Sequence, residues 1–240
     1  MNHVVRYAKM FWICFWGITM TLILFVPIIL ASSLSSTGNL AFSISKIWAR
    51  VMLLITGTRV DIQGQEKMHK GRSYVIVSNH QSLFDILALV TSLGIQYRWT
   101  IKKELLKTPL FGYALYASRN IFIDRSNPEK ARESIRKGLD RLPYGVSVMF
   151  FAEGTRSPDG RLQDFKKGAF NVALEKSHPI LPVTVNGSRH VLPKKSFVFK
   201  PGRIRVTIAD PIDTHGYSHE TMADLMTKTR LAIQSNLVID

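Results

Sequence analysis

From Met10 to Ala31 the chain carries no charged residue, and the next charge after this run is Lys46. About 20 apolar residues suffice for a helix to cross the hydrocarbon core of a bilayer. The opening segment therefore cannot obey the same folding rules as a water-soluble domain. Inside lipid a helix satisfies its own backbone, so Thr19 and Thr21 are tolerated and Pro27 is expected to kink the span. Phe11, Trp12, Phe15 and Trp16 suit the membrane–water interface. A cleaved signal peptide is the rival reading, with Arg6 and Lys9 as its basic start and Ala31-Ser32-Ser33 as a small-residue site. The apolar run, however, exceeds the ~7–15 residues of a signal core.

Ser32 to Asn39 is a polar break, and Leu40 to Thr56 is a second apolar segment. Lys46 and Arg50 stand four apart and so share a helix face, while Ile44, Ile47, Trp48, Val51 and Leu54 fill much of the remainder. That pattern predicts an amphipathic helix lying at the membrane surface. Basic residues flank the first run on both sides, so the charge rule for orientation does not choose between topologies. A hairpin dipping into one leaflet with both ends cytoplasmic would satisfy it. Residues 1–57 are thus expected to anchor the chain, and residues 58–240 to form a single folded domain.

Past Gly57 the pattern changes. Residues 58–64 alternate like an edge strand. Short apolar runs at 74–78, 97–101, 120–123, 146–151, 179–185 and 204–208 read as strands. Helical patterns fall at 82–93, 103–106, 109–117, 128–142, 167–176 and 218–238, with Pro128 suited to a first helical turn. Strands alternating with helices predict an α/β domain with a mixed, mostly parallel sheet flanked by helices. The chain has 32 basic and 17 acidic residues, for a formal charge of +15. That excess favours an anionic partner: a phospholipid surface, a phosphorylated substrate, coenzyme A or nucleic acid. Cys14, the only cysteine, lies in the apolar run, so neither a disulfide framework nor thiol chemistry is expected.

Two turns carry candidate chemistry. Asn79-His80-Gln81-Ser82-Leu83-Phe84-Asp85 follows the strand at 74–78 and leads into a helix. A histidine there reaches the edge of a sheet, and Asp85 can accept from its Nδ1–H, leaving Nε2 as a base. The spacing alone is weak, since His219 and Asp224 repeat it within the closing helix. Ser82-x-x-Asp85 also reads as a capping box, a role compatible with the first. The second turn is Phe151-Ala152-Glu153-Gly154-Thr155-Arg156-Ser157, again behind a buried strand. Its Gly154 permits close backbone approach, Thr155 offers a hydroxyl, and Arg156 offers a planar fork matched to phosphate. Glu153 could orient the arginine or hold a substrate hydroxyl. Lys102-Lys103, Arg119, Asp124-Arg125 and Lys166-Lys167 add positive charge at strand and helix edges. Neither a Walker loop nor a G-x-S-x-G elbow is present.

In order along the chain, these blocks resemble the glycerolipid acyltransferases, specifically the bacterial 1-acyl-sn-glycerol-3-phosphate acyltransferases. Asn79-His80-Gln81-Ser82-x-x-Asp85 matches the first block of that family. Ile121-Phe122-Ile123-Asp124-Arg125 matches the second, Phe151 to Ser157 the third, and Ile180 to Val185 resembles the fourth. The resemblance spans about residues 58–212. It implies that His80, oriented by Asp85, takes the proton of the free hydroxyl of lysophosphatidic acid. Attack on the thioester of acyl-coenzyme A or acyl-carrier protein then needs no acyl-enzyme. Arg125, Arg156, Gly154 and Thr155 would hold the acceptor phosphate and Glu153 its glycerol, with Lys103 and Lys167 as further substrate contacts. It implies no metal and no cofactor beyond the acyl donor. The partners would be membrane phospholipid, lysophosphatidic acid and the donor. The chain would sit on the inner (cytoplasmic) membrane with its catalytic domain on the cytoplasmic side. An apolar tunnel to His80 is expected, lined in part by Leu105, Leu110, Phe111, Tyr113 and Leu115, with plain core packing as the alternative role for these five. Two other readings stay open: the same fold with another lysolipid acceptor, and a membrane-tethered nucleic-acid module, which would need no histidine.

Overall fold

A computed structural model describes residues 3–69 and 71–239. Two helices come first, α1 (His3–Leu34) and α2 (Asn39–Ile55), packed on each other as a hairpin. α1 is long and apolar enough to cross a membrane, with only 17% of its most apolar window buried in the protein, unlike the core helix of a soluble domain. Phe11, Phe15, Ile18, Leu22 and Val26 recur at helical spacing and stay exposed. On α2, Leu40, Ile47 and Leu54 do the same. Contiguous exposed apolar stripes of this kind mark a surface meant for something other than water. The other face of α2 is not free for a bilayer. Phe42, Ala49, Met52 and Leu53 are buried in the core shared with the sheet. The second helix therefore joins the hairpin to the domain while keeping one apolar stripe outside.

The remaining chain builds one seven-stranded sheet in the order β1-β7-β6-β2-β5-β3-β4. The strands are β1 (Thr58–Gln63), β2 (Val75–Ser78), β3 (Tyr97–Lys102), β4 (Ile121–Ile123), β5 (Ser147–Phe151), β6 (Ile180–Asn186) and β7 (Gly202–Ile208). All neighbours pair parallel except β6 and β7. The central strands β2 and β6 are buried throughout. That burial is why they read as continuous rather than alternating apolar runs. β1 lies at the sheet edge and is only partly buried, as its alternation predicts.

Helices cover both faces. α3 (Phe84–Ser92) packs with α2 on one side, where Ile76, Met149 and Val183 point. α5 (Pro128–Leu139), α6 (Gly168–Glu175) and α8 (Met222–Gln234) cover the other, against Val75, Val77, Val148 and Phe150. α4 (Phe111–Ala117) leans on the hairpin, and α7 (Ser188–Val191) is one short turn. Asn127 caps α5 by accepting the Lys130 N–H at 2.7 Å, with Pro128 next in line. α8 is shorter than the 218–238 expected, because Ser218 N–H bonds the Thr221 hydroxyl in a turn that precedes the helix.

Candidate active site

Because β2, β5, β3 and β4 run parallel, their carboxyl ends share one edge of the sheet. Behind those ends come His80, Glu153 to Arg156, Lys103 and Arg125 respectively. The connection through α3 leads to one side of β2 and that through α6 to the other, on opposite faces. A crevice at such a switch point is where open α/β sheets bind ligands.

His80 is held from four directions. Its Nδ1 lies 2.7 Å from Asp85 Oδ2. The same carboxylate oxygen accepts the Gln81 N–H at 2.6 Å and the Ser82 N–H at 2.8 Å. Two backbone N–H donors already point at this fully buried oxygen and make it an acceptor, which favours the tautomer with its hydrogen on Nδ1 and its lone pair on Nε2. The ring stacks on Phe151 with centroids 3.8 Å apart and planes 8° apart. Its backbone N–H donates to Glu153 Oε1 at 2.8 Å, and its carbonyl accepts the Ser157 N–H at 2.7 Å. The capping box forms only in part: Ser82 Oγ accepts the Phe84 N–H and Asp85 reaches back to the Ser82 N–H, but the residue just before the helix is Leu83, which offers no side-chain cap. Asn79, which precedes the histidine, bonds Val185 through both ends of its amide and pins the turn to β6.

Glu153 stands elsewhere than the resemblance implies. It is 2% exposed and touches neither cavity. Its two oxygens accept the His80 N–H and, at 3.1 Å, the Gln163 N–H. A glycerol contact gives way to a brace beneath the histidine turn. Burial pushes its carboxyl up to about 7, against the opposing pull of those two N–H groups.

A cavity of about 490 Å³ opens at His80 and Phe151. It is walled by Leu24 and Ile28 of α1, Trp48 of α2 and Val90 of α3. Leu105, Phe111 and Leu115 line it as expected, whereas Leu110 and Tyr113 face solvent. Arg125, Gly154, Thr155 and Arg156 line it too, so these four expected contacts do converge on the histidine. Arg125 Nη1 donates to the Gly154 carbonyl at 2.9 Å, which joins the second and third blocks physically. Gly154 has φ +71, and an added Cβ would run into the Lys166 side chain. Among the described residues the N–H groups of Thr155 and Arg156 find no protein acceptor.

The two lysines part company. Lys103 lines neither cavity, since its ammonium is taken by Asp124 at 2.6 Å. That bond holds the Asp124 carboxyl well below the usual carboxylate range. Its neighbour Lys102 lines the histidine cavity instead. Lys167 lines a second cavity, of about 750 Å³, which also includes Arg125, Phe151 and Gly154. His219, whose spacing to Asp224 mimics the His80 pair, lines that second cavity, and among the described residues it forms no ion pair with Asp224.

Residues 59–186 match the model of the family described as Acyltransferase, more than half of the chain. The chain belongs to the acyltransferase family. An uncharacterised acyltransferase of Schizosaccharomyces pombe is 36% identical over 183 residues, covering 75% of this chain and 66% of that protein. A chloroplastic 1-acyl-sn-glycerol-3-phosphate acyltransferase of Brassica napus is 34% identical over 197 residues, 81% of this chain and 56% of its own length. The 1-acyl-sn-glycerol-3-phosphate acyltransferase of Limnanthes alba is 32% identical over 210 residues, 87% of this chain and 72% of its own. Against the first of these curated relatives the chain spans between half and two thirds of their length. The fold is that of the solved 1-acyl-sn-glycerophosphate (LPA) acyltransferase PlsC of Thermotoga maritima. The TM-score is 0.82 and the identity 23%, covering 99% of this chain and 97% of that one.

Phe151 and Asn79 are the site residues that sequence reasoning passed over. Both sat inside blocks already singled out, and only the sheet edge reveals that one is a stacking platform and the other a pin.

Proposed function

We propose that the chain transfers a fatty acyl group from an acyl thioester, carried by coenzyme A or acyl-carrier protein, to the sn-2 hydroxyl of lysophosphatidic acid. The product is phosphatidic acid, a precursor of membrane phospholipids. The observation that carries the reading is His80, bonded to Asp85 at 2.7 Å and lining a mostly apolar cavity of about 490 Å³. His80 Nε2 accepts the hydroxyl proton as the acceptor oxygen attacks the thioester carbonyl. The tetrahedral intermediate collapses, the carbon–sulfur bond breaks, and the leaving thiolate takes the proton back from the imidazolium. Asp85 accepts from the imidazole throughout and holds the tautomer. Attack by substrate oxygen agrees with the position of Cys14, exposed on α1 and far along the chain from the site.

The acceptor phosphate is assigned to Arg156, Thr155 and Arg125 beside the histidine, where guanidinium and peptide N–H groups suit a phosphomonoester. The apolar stripes of α1 and α2 would hold the enzyme at the inner membrane, with the sheet edge on the cytoplasmic side where the acyl donors are. The assignment is tested by offering defined acceptors with an acyl thioester and identifying the lipid formed. Lysophosphatidic acid is expected to be the preferred acceptor, and Arg156→Ala to raise its KM by roughly tenfold or more, the factor that about 1.4 kcal/mol of lost binding corresponds to. Acylation of phosphate-free lysolipids alone would overturn the acceptor assignment.

A further inference from the structure

We propose that the second cavity binds the phosphorylated nucleotide end of an acyl-coenzyme A donor. The inference rests on the acyl-transfer reading and names the donor that reading leaves open. The cavity lies beside the histidine cavity and shares Thr100, Arg125, Phe151 and Gly154 with it. One extended molecule can therefore place its apolar chain in the first, its thioester at His80 and its far end in the second. At about 750 Å³ the space is of the size that takes drug-sized and cofactor-sized ligands.

The lining identifies the chemistry. Arg125, Arg132, Lys166 and Lys167 face the cavity, and no aspartate or glutamate lines it. Among the described residues Arg132, Lys166 and Lys167 form no ion pair. Lys103, by contrast, is neutralised by Asp124 on the neighbouring rim. Unpaired cations converging on one concavity concentrate positive potential there and favour a ligand with several phosphates. The acceptor does not meet that description. Its single phosphate sits on the glycerol whose hydroxyl reacts, so it must stay close to His80. Only a donor separates its phosphates from the reacting carbon by a long arm. Coenzyme A carries a diphosphate and a 3′-phosphate at the end of that arm. A carrier protein offers one phosphodiester on a bulky surface, which a lined cavity of this size does not suit.

Calorimetric titration of the 240-residue chain in detergent micelles with free coenzyme A and with 3′-dephospho-coenzyme A tests the assignment without turnover. The wild-type chain should bind coenzyme A, and the dephospho form at least ~10-fold more weakly, the factor that about 1.4 kcal/mol for a lost phosphate contact corresponds to. The Arg132→Ala/Lys167→Ala variant should lose at least the same factor for coenzyme A and discriminate less between the two. A single Lys166→Ala variant is the check should the double variant fail to fold. In turnover, the substitutions should raise the KM for the acyl donor and leave that for the acceptor. Unchanged affinity in the folded variants, or a rise in the acceptor KM instead, would overturn the proposal. So would a wild-type enzyme that uses acyl-carrier protein yet has no affinity for coenzyme A, an outcome that leaves acyl transfer standing. Coenzyme A bound as described with no acyl transfer from any donor would sink the acyl-transfer reading instead.

Discussion

His80 is fixed at its ring nitrogen, its ring face and both backbone groups, so little is left for substrate binding to organise. The member of that set with the least obvious role is Glu153. Its removal as Glu153→Ala leaves the partly buried His80 and Gln163 N–H groups without that acceptor, each costing up to ~1–3 kcal/mol. The charge matters separately. The carboxyl is pushed from 4.5 up to about 7 in the folded chain, desolvation outweighing its two hydrogen bonds. A raised folded pKa means that the native state binds the extra proton between those values, and stability falls as pH rises through them. Wild-type protein should therefore lose stability relative to Glu153→Gln between pH 5 and pH 8 (on the order of those pKa limits). Urea midpoints at the two pH values check it, and a gap independent of pH would contradict it. None of this was legible in Glu153-Gly154-Thr155-Arg156 as a string. Glycine, threonine and arginine announce phosphate chemistry by type. Whether a glutamate beside them faces substrate or backbone depends on residues 73 positions away.

At the scale of elements, the hairpin of α1 and α2 walls the apolar cavity, so whatever fixes the hairpin also shapes the site. Arg98 of β3 does this. It is fully buried, and Nη2 donates to the Thr37 carbonyl at 2.8 Å and to Asn39 Oδ1 at 2.6 Å in the hairpin turn. Nη1 holds the Tyr97 carbonyl at 2.8 Å, and the guanidinium lies 5.3 Å from the Phe42 ring. Burial pushes its pKa down to about 10. Arg98→Met keeps the bulk but leaves the buried Tyr97 carbonyl and the partly buried Thr37 and Asn39 acceptors without this donor, so a loss of about 3 kcal/mol is expected, at ~1–3 kcal/mol for each group left unpaired. A shift in the urea midpoint equivalent to under about half a kcal/mol, the scale of an ordinary surface change, would show that the tie is idle. Helix and strand positions were largely readable, since periodicity, Pro128 and Gly57 report them locally. Arg98 was hidden because its segment reads as one more short strand and its partners lie 59 and 61 residues away.

For the whole molecule, alternating strands and helices predicted the α/β sheet, and the sheet is mostly parallel as expected. Its order was not available from local pattern. β1 beside β7, and the single antiparallel pair β6–β7, depend on contacts across much of the chain. The same long-range geometry sorted the cations, pairing Lys103 and leaving Lys167 open. What the fold achieves is one edge where an apolar cavity, a basic cavity and a braced histidine meet. The central claim is that His80 removes the acceptor proton. Its most direct measurement is thiol release from an acyl thioester, with and without lysophosphatidic acid, by wild type and His80→Ala of equal Tm. The account predicts acceptor-dependent release by the wild type and a loss of at least ~100-fold in the variant, the lower end for a general base. A folded His80→Ala protein that keeps more than about a tenth of the rate, well short of what losing a general base costs, would contradict it.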